Sequence, residues 1–276
     1  MSPLIEIDEL RSINGPVILI DARAGADTYQ RYLSGHLEGA QHVDLDKDLA
    51  VKPEDPAYGG RHPLPPLEDF AKLLGKLGIT PDTHVVVYDD KAAAFGGARI
   101  WWMLKAIGHK KVQVLNGGLQ ALINAGVPLS TEPYTAEPVQ PYPVPPLYMG
   151  TADIEQAGDA AKDDTKMVID VRESPRYLGQ TEPIDLIAGH IPGAVNLPYT
   201  TNLDATGKYL PADELKKTYE KLFGNVLPSE VIVHCGSGVT ACHTLLGMDY
   251  AGIKGPKLYV GSWSEWSRRD LPIATE

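Results

Sequence analysis

Cys235 is the residue whose surroundings in this sequence best suit nucleophilic chemistry. It follows the apolar run Val231–His234 and opens a loop that reads Cys-Gly-Ser-Gly-Val over 235–239. The glycines allow a tight turn in which backbone N–H groups converge, and a helix predicted to begin near Thr240 adds partial positive charge. Both effects favour the thiolate, the reactive form of a cysteine. The pattern therefore predicts a thiolate nucleophile at Cys235.

The second cysteine, Cys242, lies one turn into the same predicted helix. We expect its side chain to pack against neighbouring residues, as buried cysteines commonly do. A disulfide between Cys235 and Cys242 stays an alternative, and it would silence the nucleophile. No pair of histidines or cysteines shows zinc spacing, so no metal is predicted.

The elements around Cys235 occur twice in the chain, which indicates a tandem duplication. Four segments recur in the same order at similar offsets. The pairs are Ile18–Arg23 with Val168–Arg172, Ser34–Ala40 with Ala188–Ala194, Val85–Tyr88 with Val231–His234, and Val127–Pro128 with Leu271–Pro272. The copies differ most after the third segment, where the first has Asp89 in place of Cys235.

Within each copy, short β-branched runs alternate with helical patterns. The predicted elements of the first copy are a helix with apolar spacing from Leu67 to Leu77, a strand Val85–Tyr88, a helix Gly97–Ile107, a strand Val112–Leu115 and a helix Leu119–Asn124. Those of the second are Val231–His234, Thr240–Tyr250, Lys257–Val260 and Trp263–Arg268. This alternation predicts an α/β fold with two mainly parallel sheets, each flanked by helices.

A proline-rich segment separates the two copies. Between 131 and 150 the chain has prolines at 133, 138, 141, 143, 145 and 146, which oppose both helices and sheet interiors. We therefore predict an extended linker at 131–150. The predicted domains are 1–130 and 151–276.

Composition limits the classes of function. The 276 residues carry 36 acidic and 25 basic side chains, a formal charge of −11, which argues against nucleic acid as a partner. No apolar run approaches the ~18 residues of a membrane span. The first residues resemble no secretory signal, and two cysteines are too few for a disulfide framework. We expect a cytoplasmic protein that binds no membrane.

These motifs together resemble the tandem-domain rhodaneses. The resemblance rests on the loop after Cys235, on Arg176-Tyr177-Leu178-Gly179, on Gly189-His190-Ile191-Pro192-Gly193-Ala194 and on the duplicated layout, and it covers essentially the whole chain. It implies a sulfurtransferase without a cofactor, in which Cys235 takes sulfane sulfur from a small anionic donor. The persulfide then passes its sulfur to cyanide or a thiol, including thiols of thioredoxin-like proteins. The N-terminal domain would be non-catalytic, in agreement with Asp89.

Persulfide chemistry requires groups that hold a negative charge near Cys235. Backbone N–H groups of the active loop would do this in the manner of an oxyanion hole; the residues concerned are Gly236, Gly238, Val239 and Thr240. By resemblance, Arg176 is the substrate-binding arginine. Arg172 is a second candidate, whose alternative is a structural ion pair with Asp170.

Ser237 bears on the identity of the donor. The sequence Cys-Gly-Ser-Gly-Val-Thr resembles that of the 3-mercaptopyruvate sulfurtransferases, in which this serine handles protons with a histidine and an acid from the N-terminal domain. The matching residues are His62 and Asp46, although both could be ordinary loop residues. No second arginine lies between Glu182 and Gly189, which favours thiosulfate. We predict 3-mercaptopyruvate as the donor, with thiosulfate as the alternative.

Two rival functions are conceivable. A phosphatase that uses a cysteine and an arginine needs five residues between the two, which would place the arginine at position 241, where this chain has Ala241. That rival is excluded. The other is a non-catalytic module that binds a persulfide or a partner, and absence of turnover would identify it.

Overall fold

The computed structural model describes residues 1–276 and divides them into two compact units. Unit 1 comprises Met1–Val51, Leu64–Met149 and Thr206–Lys208. Unit 2 comprises Lys52–Pro63, Gly150–Ala205 and Tyr209–Glu276. Each unit therefore includes a short segment from the other half of the sequence.

Unit 1 contains a five-stranded sheet in which every pairing is parallel. Its strands are β1 (Leu4–Ile5), β2 (Val17–Arg23), β4 (Ala40–Asp44), β5 (His84–Tyr88) and β6 (Val112–Leu115). They lie in the order β1-β6-β5-β2-β4. Two short strands, β3 (His36–Leu37) and β7 (Leu129–Ser130), form a separate antiparallel pair. The central strand β5 is buried over Val85–Tyr88, as expected for a parallel sheet covered on both faces.

Six helices belong to unit 1. They are α1 (Ile7–Arg11), α2 (Thr28–Ser34), α3 (Leu45–Asp48), α4 (Leu67–Lys76), α5 (Gly96–Ala106) and α6 (Gly118–Asn124). Helix α4 buries Phe70, Ala71 and Leu74 on one face, which follows from their helical spacing. It ends before Gly78, whose φ of +75° is suited to glycine.

Unit 2 repeats this arrangement. Its strands are β8 (Thr151–Ala152), β9 (Met167–Asp170), β10 (Val195–Asn196), β11 (Val231–His234) and β12 (Lys257–Tyr259). The sheet is parallel throughout, in the order β10-β9-β11-β12-β8. The helices are α7 (Ile154–Ala160), α8 (Ser174–Tyr177), α9 (Ala212–Phe223), α10 (Thr240–Tyr250) and α11 (Ser262–Trp266), with short 3₁₀ turns at Tyr199–Asn202 and Pro228–Glu230.

The two sheets have the same topology, which confirms the predicted α/β class and the duplication. Strands β8, β12, β11, β9 and β10 take the places of β1, β6, β5, β2 and β4. The bounds of β6, β11 and α10 agree with the prediction, and the other predicted elements differ by one or two residues at their ends. Parallel strands joined by helices explain why short apolar runs were sufficient to locate the sheets.

Aromatic side chains hold equivalent positions in both units. His36 stacks on Tyr32 with 3.8 Å between ring centroids, and His190 stacks on Tyr177 at 3.7 Å. In each pair, Nδ1 of the histidine lies 2.8 Å from the backbone oxygen of the tyrosine. These contacts give the two recurring histidines the same structural hydrogen bond in both units.

The proline-rich segment packs along helix α4 of unit 1. The N–H of Val139 donates to the oxygen of Gly75 at 2.8 Å, and that of Tyr142 donates to Ala71 at 3.1 Å. The Tyr142 side chain is buried. No helix of the structure could span a membrane.

Candidate active site

Cys235 lies directly after strand β11, the central strand of the unit 2 sheet. The residue is 2% exposed. Its N–H donates to Oγ of Ser262 at 3.2 Å, and its backbone oxygen accepts from the N–H of Trp263 at 3.0 Å. Helix α11 therefore fixes the backbone on both sides of the cysteine. This is the carboxyl edge of a parallel sheet, where α/β proteins bind ligands.

The loop after Cys235 turns sharply into helix α10. Gly238 has a φ of +72°, and a Cβ atom there would lie 2.6 Å from the backbone oxygen of Val260. Only glycine fits both the conformation and the close approach. The Ser264 N–H donates to the oxygen of Gly236 at 2.8 Å, and Val239 immediately precedes the first residue of α10, Thr240. The loop residues predicted to hold a charged sulfur therefore follow the cysteine in one tight turn.

The equivalent loop of unit 1 already holds an anion of its own. Asp89 follows strand β5 and is completely buried. Its carboxylate accepts four backbone N–H groups at 2.8–3.1 Å; the donors are Lys91, Ala93, Phe95 and Gly97. Burial raises the pKa of Asp89 above its ordinary value, although the four hydrogen bonds from backbone N–H groups oppose the rise. The loop geometry at this point of the fold is therefore suited to a negative charge.

Ser237 contacts a histidine from the first half of the sequence. A hydrogen bond of 2.7 Å joins Nδ1 of His62 and Oγ of Ser237. Both residues belong to unit 2, because the segment Lys52–Pro63 is part of it. The segment is held by the N–H of Gly59, which donates to Oε1 of Glu265 at 3.0 Å, and by other contacts to helix α11. The predicted serine and histidine are thus brought together.

Arg176 lies on helix α8 and is partly exposed. Its guanidinium contacts Glu182 at 2.7 Å and Asp185 at 3.1 Å. Burial raises the pKa of Glu182, but hydrogen bonds from Arg176 and from the N–H of Asp185 lower it to below its ordinary value. Glu182 is therefore ionised at neutral pH. A Cβ atom built on Gly236 would lie 3.5 Å from Nη2 of Arg176, so this guanidinium adjoins the active loop.

Sequence reasoning missed two cations that accompany Arg176. Nε of Arg61 lies 2.8 Å from Oδ1 of Asp185, and Nη1 of Arg268 lies 3.4 Å from the same oxygen. Arg61 immediately precedes His62, and this adjacency was the signal available in the sequence. The stretch between Glu182 and Gly189 contains no arginine. Its Asp185, however, contacts arginines from other parts of unit 2, which are Arg61, Arg176 and Arg268.

Arg172 differs in its surroundings from Arg176. Its side chain is 1% exposed and forms a two-pronged ion pair with Asp170, with a shortest distance of 2.6 Å. It also contacts Glu182 at 3.2 Å and lies over the Trp263 ring at 4.6 Å. A substrate would reach Arg172 only by displacing these partners.

Asp46 and Cys242 are the remaining two residues that the sequence singles out. Asp46 lies in unit 1, in the first turn of helix α3, and its N–H donates to Oδ1 of Asp44 at 3.0 Å. Cys242 is completely buried in α10, and its thiol lies 3.3 Å from the oxygen of Gly238. Both cysteines are free thiols, so no disulfide joins Cys235 and Cys242.

Comparison with known proteins identifies both halves of the chain. The model of the rhodanese-like domain family matches residues 6–125 and 153–269. A probable 3-mercaptopyruvate sulfurtransferase of Pseudomonas aeruginosa is 39% identical over 267 residues, which cover 93% of this chain and 89% of the relative. A thiosulfate sulfurtransferase of Gallus gallus is 34% identical over 248 residues, with coverages of 89% and 83%.

A solved structure shows the same arrangement of elements. The 3-mercaptopyruvate sulfurtransferase of Leishmania major superimposes with a TM-score of 0.80 at 30% sequence identity. The match covers 96% of this chain and 74% of the other. The similarity therefore extends over both units and is not confined to one domain.

Proposed function

The chain belongs to the rhodanese-like domain family, and from this premise we propose that it is a 3-mercaptopyruvate sulfurtransferase that acts through a persulfide on Cys235. The observation that carries the proposal is the joint position of Cys235, Ser237 and His62 at the carboxyl edge of the unit 2 sheet. A nucleophile, a proton-transfer pair and, beside them, arginines for an anionic donor are the groups that this reaction requires.

The first half-reaction forms the persulfide. The Cys235 thiolate attacks the sulfur of 3-mercaptopyruvate, and the bond between that sulfur and carbon breaks. The electron pair goes to the carbon, which takes up the proton of the donor's thiol and leaves as pyruvate. Ser237 and His62 transfer that proton, and Asp46 orients His62 in the proposed relay. The outer sulfur of the persulfide keeps the negative charge.

The second half-reaction transfers the outer sulfur from Cys235 to an acceptor. An acceptor thiolate or cyanide attacks the outer sulfur, the sulfur–sulfur bond breaks, and its electron pair returns to Cys235 as thiolate. The products are an acceptor persulfide or thiocyanate. Thiols of thioredoxin-like proteins are included among the acceptors that we propose.

The persulfide charge requires hydrogen-bond donors that do not supply a proton. We assign this to the backbone N–H groups of the active loop; the residues are Gly236, Gly238, Val239 and Thr240. The Asp89 carboxylate supports the assignment, because four N–H groups of the equivalent unit 1 loop bind it in the same way. Donors fixed in advance stabilise a charge without reorganising.

The donor carboxylate binds at Arg176 in this proposal. Its guanidinium is partly exposed and adjoins Gly236, whereas Arg172 is buried against the Trp263 ring and paired with Asp170. We therefore give Arg172 an indirect part, in which its contact with Glu182 holds the partner of Arg176 in place. Arg61 supplies the second cation that the stretch after Glu182 lacks.

The proposal also assigns a different role to each domain. We propose residues 1–130 as a non-catalytic rhodanese-like domain, 131–150 as a linker and 151–276 as the catalytic domain. In unit 1, Asp89 replaces the nucleophile and Arg31, on α2, is ion-paired with Asp90. We also keep the cytoplasmic location, because two free thiols suit a reducing compartment.

Thiosulfate is the second candidate donor, favoured by the relative of that name in Gallus gallus. The deciding experiment measures initial rates with 3-mercaptopyruvate and with thiosulfate, first with cyanide and then with a dithiol as acceptor. A higher kcat/KM with 3-mercaptopyruvate supports the proposal. A preference for thiosulfate replaces the donor, and absence of turnover with both would indicate a binding module.

A further inference from the structure

A buried carboxylate lies at the centre of three arginines next to the active loop. The Asp185 side chain has no exposed surface, whereas those of Arg61, Arg176 and Arg268 are 24%, 15% and 21% exposed. The shortest distances from Asp185 to these arginines are 2.8, 3.1 and 3.4 Å in that order. We call these four residues the Asp185 cluster.

The cluster faces the residue that follows Cys235. A Cβ built on Gly236 would lie 3.1 Å from Nη2 of Arg61, 3.4 Å from Oδ2 of Asp185 and 3.5 Å from Nη2 of Arg176. An anion bound at these arginines is therefore within a few ångströms of both the loop and the Asp185 carboxylate. The N–H of Asp185 donates to Oε1 of Glu182 at 3.0 Å, which fixes the segment in this position.

We propose that Asp185 is a specificity-determining residue, which adjusts the charge of the donor site to singly charged donors and against doubly charged ones. The proposal rests on the proposed function, since it concerns the donor of that same site. 3-Mercaptopyruvate carries one carboxylate charge, whereas thiosulfate carries two negative charges. Charge is thus a property by which the site distinguishes the two donors.

The count of charges supports this assignment. Arg172 is balanced by its ion pair with Asp170, so it leaves no excess charge. The three arginines of the cluster then face two carboxylates, Asp185 and the Glu182 that contacts Arg176. One positive charge remains, which a single carboxylate neutralises. A second charge on the donor would be repelled by Asp185 and by the Cys235 thiolate.

Coulomb's law gives the size of the effect. The interaction of two unit charges falls with their separation and with the effective dielectric constant, which is about 20 near a protein surface. Solvent reaches the arginines, and screening reduces the interaction further. We expect a change of about tenfold in the preference between singly and doubly charged anions when one charge of the cluster is removed.

Two variants of opposite sign test the proposal. Asp185→Asn keeps the size of the side chain and raises the charge of the site by one, and Arg268→Gln lowers it by one. The control is Asp213→Asn on helix α9, an exposed aspartate that pairs with Lys217, which removes one negative charge far along the sequence from the site. The ligands are pyruvate, which is singly charged, and sulfate, which is doubly charged.

The dissociation constants of both anions are obtained from protection of Cys235 against alkylation by uncharged iodoacetamide. Asp185→Asn should shift the preference about tenfold towards sulfate, Arg268→Gln should shift it towards pyruvate, and Asp213→Asn should change neither. Equal changes for both anions would assign Asp185 a purely structural part and overturn the proposal. If Asp185→Asn does not fold, the direction of the shift in Arg268→Gln decides.

The same variants are then assayed with both donors, which separates this inference from the proposed function. The ratio of kcat/KM for thiosulfate to that for 3-mercaptopyruvate should follow the anion preference. Turnover with an unchanged ratio and unchanged anion preference would refute the charge rule alone. Anion preferences that shift as expected in a protein without turnover would refute the proposed function and support the charge rule.

Discussion

Nδ1 of His62 lies 2.7 Å from Oγ of Ser237, although 175 residues separate them in the sequence. The serine stands two residues after Cys235, and the histidine ends a segment of the first sequence half that belongs to unit 2. In the proposed function this pair transfers the proton of the donor's thiol, since an imidazole can both accept and donate a proton. The contribution of the His62–Ser237 pair to the rate should depend on whether the leaving group needs a proton.

The first prediction concerns this dependence. In Ser237→Ala, kcat/KM with 3-mercaptopyruvate should fall by about 10²- to 10⁴-fold, the usual contribution of general acid–base catalysis. Thiosulfate should suffer much less, because sulfite leaves without taking a proton. Initial rates with both donors give the result, and Thr201→Ala, which removes an exposed hydroxyl, is the control. Equal losses with both donors would contradict the proton-transfer role.

The second prediction separates the two cysteines. Cys235→Ser should abolish sulfur transfer, because no other nucleophile lies at the end of β11. Cys242→Ala should keep most of the rate and lose about 1–2 kcal/mol of stability, since it deletes one buried sulfur. Cyanide-dependent turnover gives the rate of sulfur transfer, and denaturant unfolding gives the free energy of unfolding. Loss of turnover in a folded Cys242→Ala protein would show that its role is misassigned.

Asp46 provides the third prediction. If it orients His62, Asp46→Asn should lower kcat with 3-mercaptopyruvate by about ten- to hundredfold with little change in KM, a loss smaller than removal of the proton-transfer group itself. The acid limb of the pH–rate profile should move as well. Glu38→Gln, an exposed acid of unit 1, should leave both unchanged. An unaltered kcat in Asp46→Asn would remove Asp46 from the relay.

The fourth prediction concerns acid stability. Burial lowers the pKa of His243 to about 3, so the folded chain keeps this histidine neutral while the unfolded chain protonates it below about 6.5. The unfolded state binds more protons in this window, and stability is lost as the pH falls. His243 should contribute a slope of about 1.4 kcal/mol per pH unit between pH 6 and 4.

Denaturant unfolding of His243→Gln over this range measures that contribution. The variant should show a flatter loss of stability, because glutamine takes up no proton. Gln120→Ala, which removes an exposed side chain that does not titrate, should keep the wild-type slope. An unchanged slope in His243→Gln would mean that this histidine is already solvated or charged in the folded protein.

The fifth prediction tests the anion held in unit 1. Asp89→Asn replaces one carboxylate oxygen by an amide group that cannot accept the two N–H groups bound at that position, so we expect a loss of about 2–4 kcal/mol. Sulfur transfer at Cys235 should persist in the folded protein. Asp82→Asn, an exposed acid, is the control in denaturant unfolding. A loss no greater than that of the control would contradict a structural carboxylate at Asp89.

Local patterns were sufficient to predict the fold and the tight loop that follows Cys235. Strands such as β11 are short apolar runs, and the glycines after Cys235 are required by a positive φ and by contact with Val260. Because both signals lie within a few residues of the feature they specify, they are readable in one sequence. The duplication also identified Asp89 as the counterpart of Cys235.

Two of the cations near the active loop, Arg61 and Arg268, were not predictable in the same way. Arg61 and Asp185 are 124 residues apart, and their contact follows from the packing of a segment that no periodic pattern marks. The sequence showed that an arginine was missing near Asp185, but a single sequence does not indicate which distant side chain replaces it. Burial of Arg172 likewise depends on Trp263, which comes from helix α11.

The exchange of short segments between the two halves has a consequence for how the chain can be divided. Lys52–Pro63 belongs to unit 2, and Thr206–Lys208 belongs to unit 1. A protease cut within 131–150 would leave Cys235 on one fragment and His62 with Arg61 on the other. Neither fragment would contain a whole compact unit, so we expect activity only from reassembled fragments. The second repeat alone would therefore lack Arg61 and His62, and a truncation to one repeat should be inactive.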